Sequence, residues 1–425
     1  MWSDQAVIYH LYPLGLCGAP HANDFSAAPV SRLACLHNWI PHWQSLNCNT
    51  IFFGPLFEST AHGYDTADYF KIDRRLGTND DFKSLAAALH QSGFKIVIDG
   101  VFNHVGRDFW AFKDVLQKRE ASAYKDWFDI NFNADNTFGD GLAYYAWEGC
   151  DDLIQLNLNN PAVREYLFSA VTMWINDFGI DGLRLDVAYC LNPLFLQELR
   201  RHCDGLKADF WLLGEIIHGN YNKIMNPQMA DSATNYECFK GLYSSCNTYN
   251  LYEIAHSLKR QFGTDPHGLY ENKVLYNFLD NHDVSRIASL LKNSRHLPLL
   301  YGLLYAMPGI PSLYYGSEWG IKGKKSDGDW SLRPPLSLQE ETALTRNIRR
   351  LGEIRRSHSR LLSRGSYQEL VLTNTFLLFS RRLEQQEALV AVNINEHEFQ
   401  FTHGRLTAAV APFSVWIWLN GERIL

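Results

Sequence analysis

Short apolar runs alternate along the chain with segments whose apolar residues recur every three or four positions. Residues 81–89 have the spacing of an amphipathic helix, with Thr78 placed as its N-cap and Gly93 as its stop. An apolar run at 94–99 follows directly and is typical of a strand buried on both faces. The pattern therefore predicts repeated helix–strand units.

The same unit recurs often enough to close a barrel. Asn160 and Pro161 begin another helix, Gly179 ends it, and a strand run follows. The strand candidates are 7–12, 49–53, 94–99, 181–186, 210–215, 232–236, 273–278 and 310–315. Eight βα repeats predict an α/β fold, the (β/α)8 TIM barrel. An open doubly wound sheet is the alternative, but no glycine-rich phosphate turn follows the first run.

Two regions break this rhythm and divide the chain. Residues 105–150 are rich in Trp, Asn, Asp and Gly, and they predict an insertion after the third strand. After residue 358 the helical pattern stops, and short β runs predict a small C-terminal all-β domain, a β-sandwich over 359–425. We therefore expect residues 1–104 and 151–358 to form the barrel in two parts.

Composition excludes several classes of partner. The 425 residues carry a net charge of −7 with no basic block, so we expect neither nucleic acid nor an anionic membrane as a partner. No apolar run approaches about 18 residues, and the N-terminus shows no signal-peptide pattern. The eight cysteines show no CxxC spacing, which indicates scattered reduced thiols and a cytoplasmic location.

Four of the apolar runs stop abruptly at polar residues. These residues are His104, Arg184, Asp186, Glu215, His282 and Asp283. Catalytic groups of a parallel barrel lie at the C-terminal ends of its strands, so we expect these side chains to converge. Two carboxyl groups delivered in this way suit cleavage of a glycosidic bond, with a third as electrostatic support.

The residues next to each carboxyl group indicate its use. Arg184 and Asp186 are two positions apart on one strand and point the same way, so the guanidinium favours the ionised carboxylate that a nucleophile requires. Glu215 directly follows the apolar run 211–214. Desolvation of its carboxyl group there would favour the protonated form that a general acid requires. A structural ion pair and a metal site are the competing uses. No HxxxH or HxH spacing occurs, so the pattern predicts no metal site.

Taken together and in order, these segments closely resemble the signature blocks of the α-amylase superfamily of glycoside hydrolases over nearly the whole chain. The blocks are Asp99–His104, Gly182–Ala188, Gly214–Glu215 and Phe278–Asp283. The segment His62–Tyr69 is similar to the family segment whose Tyr stacks under the sugar at the cleavage site.

The resemblance implies a role for each site residue. Asp186 would be the nucleophile, Glu215 the acid/base, and Asp283 the stabiliser of the transition state. The implied substrate-binding residues are Tyr64, His104, Arg184 and His282. No cofactor is required, but Asn103 matches a position that often helps to bind calcium in this family, which makes calcium a candidate ligand.

Within the superfamily the chain looks most like neopullulanases, cyclomaltodextrinases and maltogenic amylases. The resemblance implies a retaining hydrolase of α-1,4-glucosidic bonds in maltooligosaccharides or related α-glucans, acting through a glycosyl-enzyme intermediate. Gln155 and the segment Val187–Cys190 depart from that branch, and 187–190 faces the leaving-group side. A transglycosidase on the same substrates is therefore the first alternative, and a non-catalytic glucan-binding relative is the second.

Overall fold

The computed structural model describes residues 1–425, and its central feature is a ring of eight parallel strands. The strands are β1 (Ile8–Leu11), β2 (Thr50–Phe53), β3 (Lys95–Gly100), β4 (Gly182–Leu185), β5 (Trp211–Gly214), β6 (Ser232–Ala233), β7 (Tyr276–Phe278) and β8 (Ile310–Tyr314). They pair in chain order, β8 pairs with both β1 and β7, and a parallel bridge from Thr234 to Tyr276 closes the ring between β6 and β7. The predicted TIM barrel is confirmed.

Helices connect the strands and cover the outside of the ring. The α-helices are Pro13–Leu16, Ile40–Ser45, Asn79–Gln91, Trp110–Lys118, Pro161–Phe178, Pro193–Leu206, Tyr236–Thr248, Tyr252–Phe262, Ile287–Leu290, His296–Ala306, Ala343–Ser357 and Ser359–Arg364. Thr78 and Asp81 form the predicted N-terminal cap reciprocally, with hydrogen bonds of 3.2 and 2.7 Å. Gly179 ends its helix in the left-handed region, at φ 70°. None of these helices has the length and apolar character needed to cross a membrane.

Two apolar layers hold the barrel together. Inward side chains such as Ile8, Phe52, Val97 and Leu213 fill the ring. A larger cluster of 103 buried residues lies between the strands and the helices and continues into the C-terminal sheet. That continuity means that the barrel and the C-terminal domain share one core.

The insertion after β3 leaves and returns through one small sheet. Strand His104–Gly106 pairs antiparallel with Leu153–Gln155, and between them lie the helix 110–118 and a hairpin of Ile130–Asn131 with Ala143–Tyr144. A second hairpin, Phe57–Ser59 with Thr66–Ile72, follows β2. Both excursions rise from the end of the barrel at which the strand-end polar residues lie. The precise limits of the insertion at 105 and 150 stay a prediction.

The C-terminal domain is built of β-strands, as predicted, and the structure shows that they pair antiparallel. Its strands are Ser366–Leu372, Phe376–Leu383, Gln386–Asn393, Phe399–His403, Leu406–Val410, Ser414–Leu419 and Glu422–Arg423. The expectation that helix stops at 358 is wrong, because Ser359–Arg364 forms one more helix. Leu361 and Leu362 are buried in the shared core and hold this turn of helix against the barrel. The first strand of the domain begins at Ser366, and the domain limit at 359 stays a prediction.

Candidate active site

The strand register sets the positions of the first carboxyl groups. Arg184 of β4 is paired directly with Asp99 of β3 in the ladder. The ladder continues one step past the strands, because the Asp186 N–H donates to the Gly100 carbonyl at 3.1 Å. In the same way, the Glu215 N–H donates to the carbonyl of Leu185 at 3.0 Å. The side chains at the ends of β3, β4 and β5 are therefore fixed by backbone geometry.

One buried guanidinium joins three of these carboxyl groups. Arg184 Nη1 donates to Asp99 Oδ1 at 2.9 Å and to Asp186 Oδ1 at 2.8 Å, and Nη2 lies 2.5 Å from Glu215 Oε1. The Arg184 side chain is only 4% exposed, so these charges interact in a medium of low dielectric. The sequence-predicted Arg184, Asp186 and Glu215 are thus brought together, and Asp99 joins them.

The hairpin after β2 delivers Tyr64 to the same place. Asp65 ties its tip by accepting the backbone N–H groups of Ala61 at 2.7 Å and Gly63 at 3.0 Å. Gly63 has φ +87°, and a Cβ there would lie 2.5 Å from Pro55, so glycine is required at this turn. Tyr64 is buried and belongs to the larger apolar cluster, and it also lines the cavity at the mouth of the barrel.

A chain of polar contacts links Tyr64 to the end of β7. The Tyr64 hydroxyl donates to Asp99 Oδ2 at 2.9 Å and lies 2.5 Å from His282 Nε2, which in turn lies 2.8 Å from Asp283 Oδ2. Arg333 holds the other oxygen of Asp283 at 3.1 Å. The rings of Tyr64 and His282 are nearly parallel, with centroids 5.4 Å apart. Contacts on both of its oxygens therefore fix Asp283.

Two contacts besides the one with Arg184 orient Glu215. The backbone N–H of Val187 donates to Glu215 Oε2 at 2.9 Å, and the Tyr236 hydroxyl reaches Oε1 at 3.4 Å. Val187 has φ 40° and ψ 46°, a left-handed conformation that a β-branched residue rarely adopts. Val187 thus donates its N–H to Glu215 from a strained backbone conformation. The strain therefore lies directly beside a candidate catalytic carboxyl group.

Burial changes the charge state of several of these groups. Burial raises the pKa of Asp186 well above its ordinary value, and the neighbouring Glu215 and Asp99 add to the increase, whereas Arg184 opposes it. The sequence-based expectation that Arg184 alone keeps Asp186 ionised is therefore incomplete, since one guanidinium is shared among three carboxyl groups. Burial also opposes ionisation of Asp283, but His282 and then Arg333 outweigh it and hold the pKa of Asp283 below its usual range.

His104 stands beside these groups as a neutral ring. Burial lowers the pKa of His104 to about 3. Its Nε2 lies 4.0 Å from Asp186 Oδ2 and has no hydrogen-bond partner, although it is buried. Such an atom is available to a hydroxyl group of a ligand placed against Asp186.

A cavity of about 550 Å³ contains the three predicted catalytic carboxyl groups. Its lining residues are His62, Tyr64, His104, Trp147, Leu153, Asp186, Val187, Tyr189, Glu215, Ile217, Tyr236, Asp283, Val284, Lys325, Asp329 and Arg333. The cavity is of the size that takes a small organic ligand. Arg184 and His282 support it from beneath, while Tyr64 and His104 line it.

Asn103, the candidate calcium ligand, is buried next to the site. Its side-chain nitrogen lies 3.3 Å from His104 Nδ1. Asp129 is the one carboxyl group lining the cavity beside Asn103, and no group of three or more His, Cys, Asp or Glu side chains is arranged to hold a metal ion. Calcium in proteins takes six to eight oxygen ligands. Amide oxygens of Asn and Gln also ligate calcium, so calcium at Asn103 stays a prediction, and the mechanism proposed for this chain uses no metal.

Sequence reasoning missed three residues of the site. Asp99 ends the apolar run 94–99 as the others end theirs, and that position is the signal that could have assigned it. Arg333 and Tyr236 carry no comparable signal. Arg333 lies in irregular chain after β8, and Tyr236 begins a helix with an ordinary amphipathic pattern.

A (β/α)8 barrel with three carboxyl groups gathered at its C-terminal end defines a class, the barrel glycoside hydrolases. Comparison with known families identifies the particular member of that class. The chain belongs to the α-amylase family, since the family description "Alpha amylase, catalytic domain" matches residues 32–361.

Individual relatives agree with this assignment. The chain is 31% identical over 378 residues to an intracellular maltogenic amylase of Bacillus subtilis strain 168, covering 86% of this chain and 62% of the relative. It is 30% identical over 416 residues to a cyclomaltodextrinase of a Bacillus species, covering 92% and 73%. A cyclic α-maltosyl-(1→6)-maltose hydrolase from Arthrobacter globiformis has a TM-score of 0.87 at 26% identity over 99% of both chains. The chain thus spans less than two thirds of the first of these relatives.

Proposed function

We propose that the protein is a retaining glycoside hydrolase that cleaves α-1,4-glucosidic bonds in maltooligosaccharides or related α-glucans. The observation that carries the proposal is the single Arg184 guanidinium, which holds Asp186 and Glu215 on its two terminal nitrogens inside one cavity with Asp283. A shared guanidinium favours the short carboxyl separation of retaining enzymes, about 5–5.5 Å, over the roughly 6.5–9.5 Å of inverting ones.

In this proposal, each carboxyl group has one role. Asp186 attacks the anomeric carbon and forms the glycosyl-enzyme bond, while Glu215 gives its proton to the departing glycosidic oxygen. Glu215 then takes a proton from water, the water oxygen attacks the anomeric carbon, and Asp186 leaves as carboxylate. Asp283 is kept ionised by His282 and Arg333, so its negative charge is available to positive charge developing at the sugar ring.

The names of the relatives support the substrate class. They name a maltogenic amylase, a cyclomaltodextrinase and a hydrolase of a cyclic maltose-containing sugar, all of which concern maltose-based glucans. The name of the first relative includes "intracellular", which supports a cytoplasmic location for this chain as well. No nucleic acid or membrane partner is part of the proposal.

Transglycosylation by the same intermediate is the second candidate. Tyr189 and Ile217 line the cavity beside Glu215, on the side where an acceptor would enter. A ring and an apolar side chain there can hold a sugar in place of water. A purely glucan-binding role has less support, because it would leave a buried carboxyl cluster that costs stability without chemistry to perform.

Product analysis separates these possibilities. The wild-type protein is incubated with maltotetraose, with and without added glucose. Shorter sugars are expected from hydrolysis, longer ones from transfer, and no change from a binding protein. Asp186→Asn and Glu215→Gln are each expected to lower kcat by at least about a thousandfold. Asp177→Asn is the matched control, because Asp177 is exposed on a helix outside the barrel.

Chemical rescue tests the nucleophile separately from the fold. Asp186→Gly with 4-nitrophenyl α-maltoside and sodium azide is expected to yield a β-configured maltosyl azide, because azide takes the space of the carboxylate. Near-wild-type turnover by Asp186→Asn, or rescue of Glu215→Gln but not of Asp186→Gly to the β-azide, would reverse the assignment.

A further inference from the structure

A second cavity, of about 800 Å³, lies next to the catalytic one and takes no part in the proposed mechanism. It is formed by the helices Tyr236–Thr248 and Tyr252–Phe262 together with the loop after β5. We call it the helix-pair groove. Ile217 and Tyr236 line both this groove and the catalytic cavity, so the two spaces share a wall.

The shared wall lies against the proposed acid/base. Ile217 follows Glu215 by two positions, and its side chain stands 41% exposed. The Tyr236 hydroxyl is 3.4 Å from Glu215 Oε1. Because an acid/base protonates the departing oxygen, the leaving-group part of the substrate must pass next to it. A chain that extends beyond the cleaved bond is thereby directed toward Ile217 and Tyr236, and over them into the groove.

The chemistry of the groove fits a neutral, hydroxyl-rich ligand. Its polar lining residues include His218, Lys240, Glu253, His256 and Arg260. The acidic residues Glu237 and Glu253 balance Lys240 and Arg260, and Arg260 Nε donates to Glu237 at 3.1 Å. An anionic ligand would need an excess of positive charge that this lining lacks.

One aromatic ring on the groove is exposed. Tyr252 begins the second helix of the pair and is 48% exposed, in contrast to most large aromatic side chains of this protein. A ring of this kind buries apolar area against the face of a sugar while its hydroxyl stays in water. We propose that the helix-pair groove binds the leaving-group end of long α-glucan chains, with Tyr252 as the stacking platform. This inference rests on the proposed function.

The test compares chain lengths. Tyr252→Ala is expected to lower the ratio of kcat/KM on maltoheptaose to kcat/KM on maltotriose by five- to tenfold, because only the longer chain reaches the ring. Tyr252→Phe keeps the stacking face and should hold the ratio within twofold of wild type. Lys259→Ala is the control, since Lys259 is exposed on the same helix but lies outside the groove.

Each outcome decides one of the two claims. If the ratio of kcat/KM values is unchanged in Tyr252→Ala, glucan binding by the helix-pair groove is refuted, while the proposed hydrolysis is unaffected. If wild type cleaves none of these sugars, the proposed function fails. Calorimetric titration with maltoheptaose then tests whether the helix-pair groove binds the sugar. Weaker maltoheptaose binding by Tyr252→Ala than by Lys259→Ala supports the groove in that case. Equal binding by the two variants, or none by wild type, overturns it.

Discussion

Replacing Asp186 by Asn should abolish turnover and, at neutral pH, make the protein more stable. The carboxyl group is buried with Asp99, Glu215 and Asp283 around it, and its pKa is raised above the ordinary value, burial being the largest cause. The folded state therefore binds this proton more tightly than the unfolded chain does. Asparagine is a neutral group of the same shape, so it removes the cost of burying the charge.

The size of the effect follows from two opposing contributions. The amide oxygen of asparagine still accepts from Arg184, so this 2.8 Å hydrogen bond changes from a charged to a neutral one, at a cost of about 1 kcal/mol. Relief of the buried charge gives about 1.36 kcal/mol for every unit by which the folded pKa exceeds the unfolded one. The raised pKa already includes the attraction to Arg184, so the net change at pH 7 is stabilising.

The pH dependence has a definite sign. In wild type, the folded state binds the Asp186 proton more tightly than the unfolded chain does, so stability falls as pH rises from about 4, the unfolded pKa, through the raised folded pKa. The Asp186→Asn variant does not lose folding stability in this way, because the amide does not ionise. The gain in stability of Asp186→Asn over wild type should be absent below about pH 4 and complete above the folded pKa of Asp186.

Asp181, at the start of the same strand run, provides a control of opposite sign. Burial again opposes its ionisation, but His90, the Ile96 N–H, Lys207 and Lys95 outweigh burial and lower its pKa below the ordinary range. Its charge therefore adds stability that is present above about pH 4 and is lost as pH falls through the folded pKa. Asp181→Asn should destabilise at pH 7, by about 3 kcal/mol, since a buried ion-pair partner is removed.

Thermal melts of wild type, Asp186→Asn and Asp181→Asn between pH 3.5 and 8 test this reasoning, with kcat on maltotetraose measured in parallel. The expected order of Tm at pH 7 is Asp186→Asn, then wild type, then Asp181→Asn. A lower Tm for Asp186→Asn than for wild type at pH 7 would refute the claim that burial dominates the Asp186 environment.

Four further outcomes are expected from the same geometry. Because Asp186 must be ionised to attack, kcat/KM should fall with falling pH at a value above the ordinary Asp pKa of about 3.9; an acid limb at or below 3.9 would contradict this. The first product seen by NMR should be the α-anomer, and an initial β-anomer would exclude double displacement. Tyr64→Ala should lower kcat/KM roughly a hundredfold, because it removes both the ring that lines the cavity and the hydroxyl that contacts Asp99 and His282, whereas Tyr64→Phe keeps the ring and should lose less; equal losses would assign the effect to the hydroxyl alone. Short maltooligosaccharides should have a higher kcat/KM than granular starch, since the excursion residues Trp147 and Leu153 wall the cavity; clearly greater efficiency on the polymer would overturn this.

The barrel was predictable because its two periodicities are local. Strands buried on both faces read as apolar runs, and helices show a repeat of three to four, so eight βα units could be counted without knowing any contact. The sixth of these runs, 232–236, forms a strand of only two residues, Ser232–Ala233. The helix Ser359–Arg364 was missed because six residues are too few to show a period.

The site was predictable to the extent that it is built from strand ends. A polar residue that stops an apolar run is visible in the sequence, and Asp186, Glu215 and Asp283 were predicted in that way. The charge state of Asp186 was not predictable, because it depends on how many carboxyl groups share Arg184, and Asp99 and Glu215 lie far away in sequence. Arg333 is held by loop geometry, which leaves no repeating pattern to read.

The sharing of Arg184 also bears on how such a site changes over evolutionary time. Asp99, Asp186 and Glu215 use one positive charge, so the effect of replacing any of them depends on which of the others remain. Loss of Arg184 first would leave three buried acids without a counter-ion, whereas loss of one acid first leaves the others better paired. Substitution of one of the acids is therefore expected to precede substitution of Arg184 in evolution. A descendant protein without catalytic activity would be expected to retain Arg184 after one or more of the acids had been replaced.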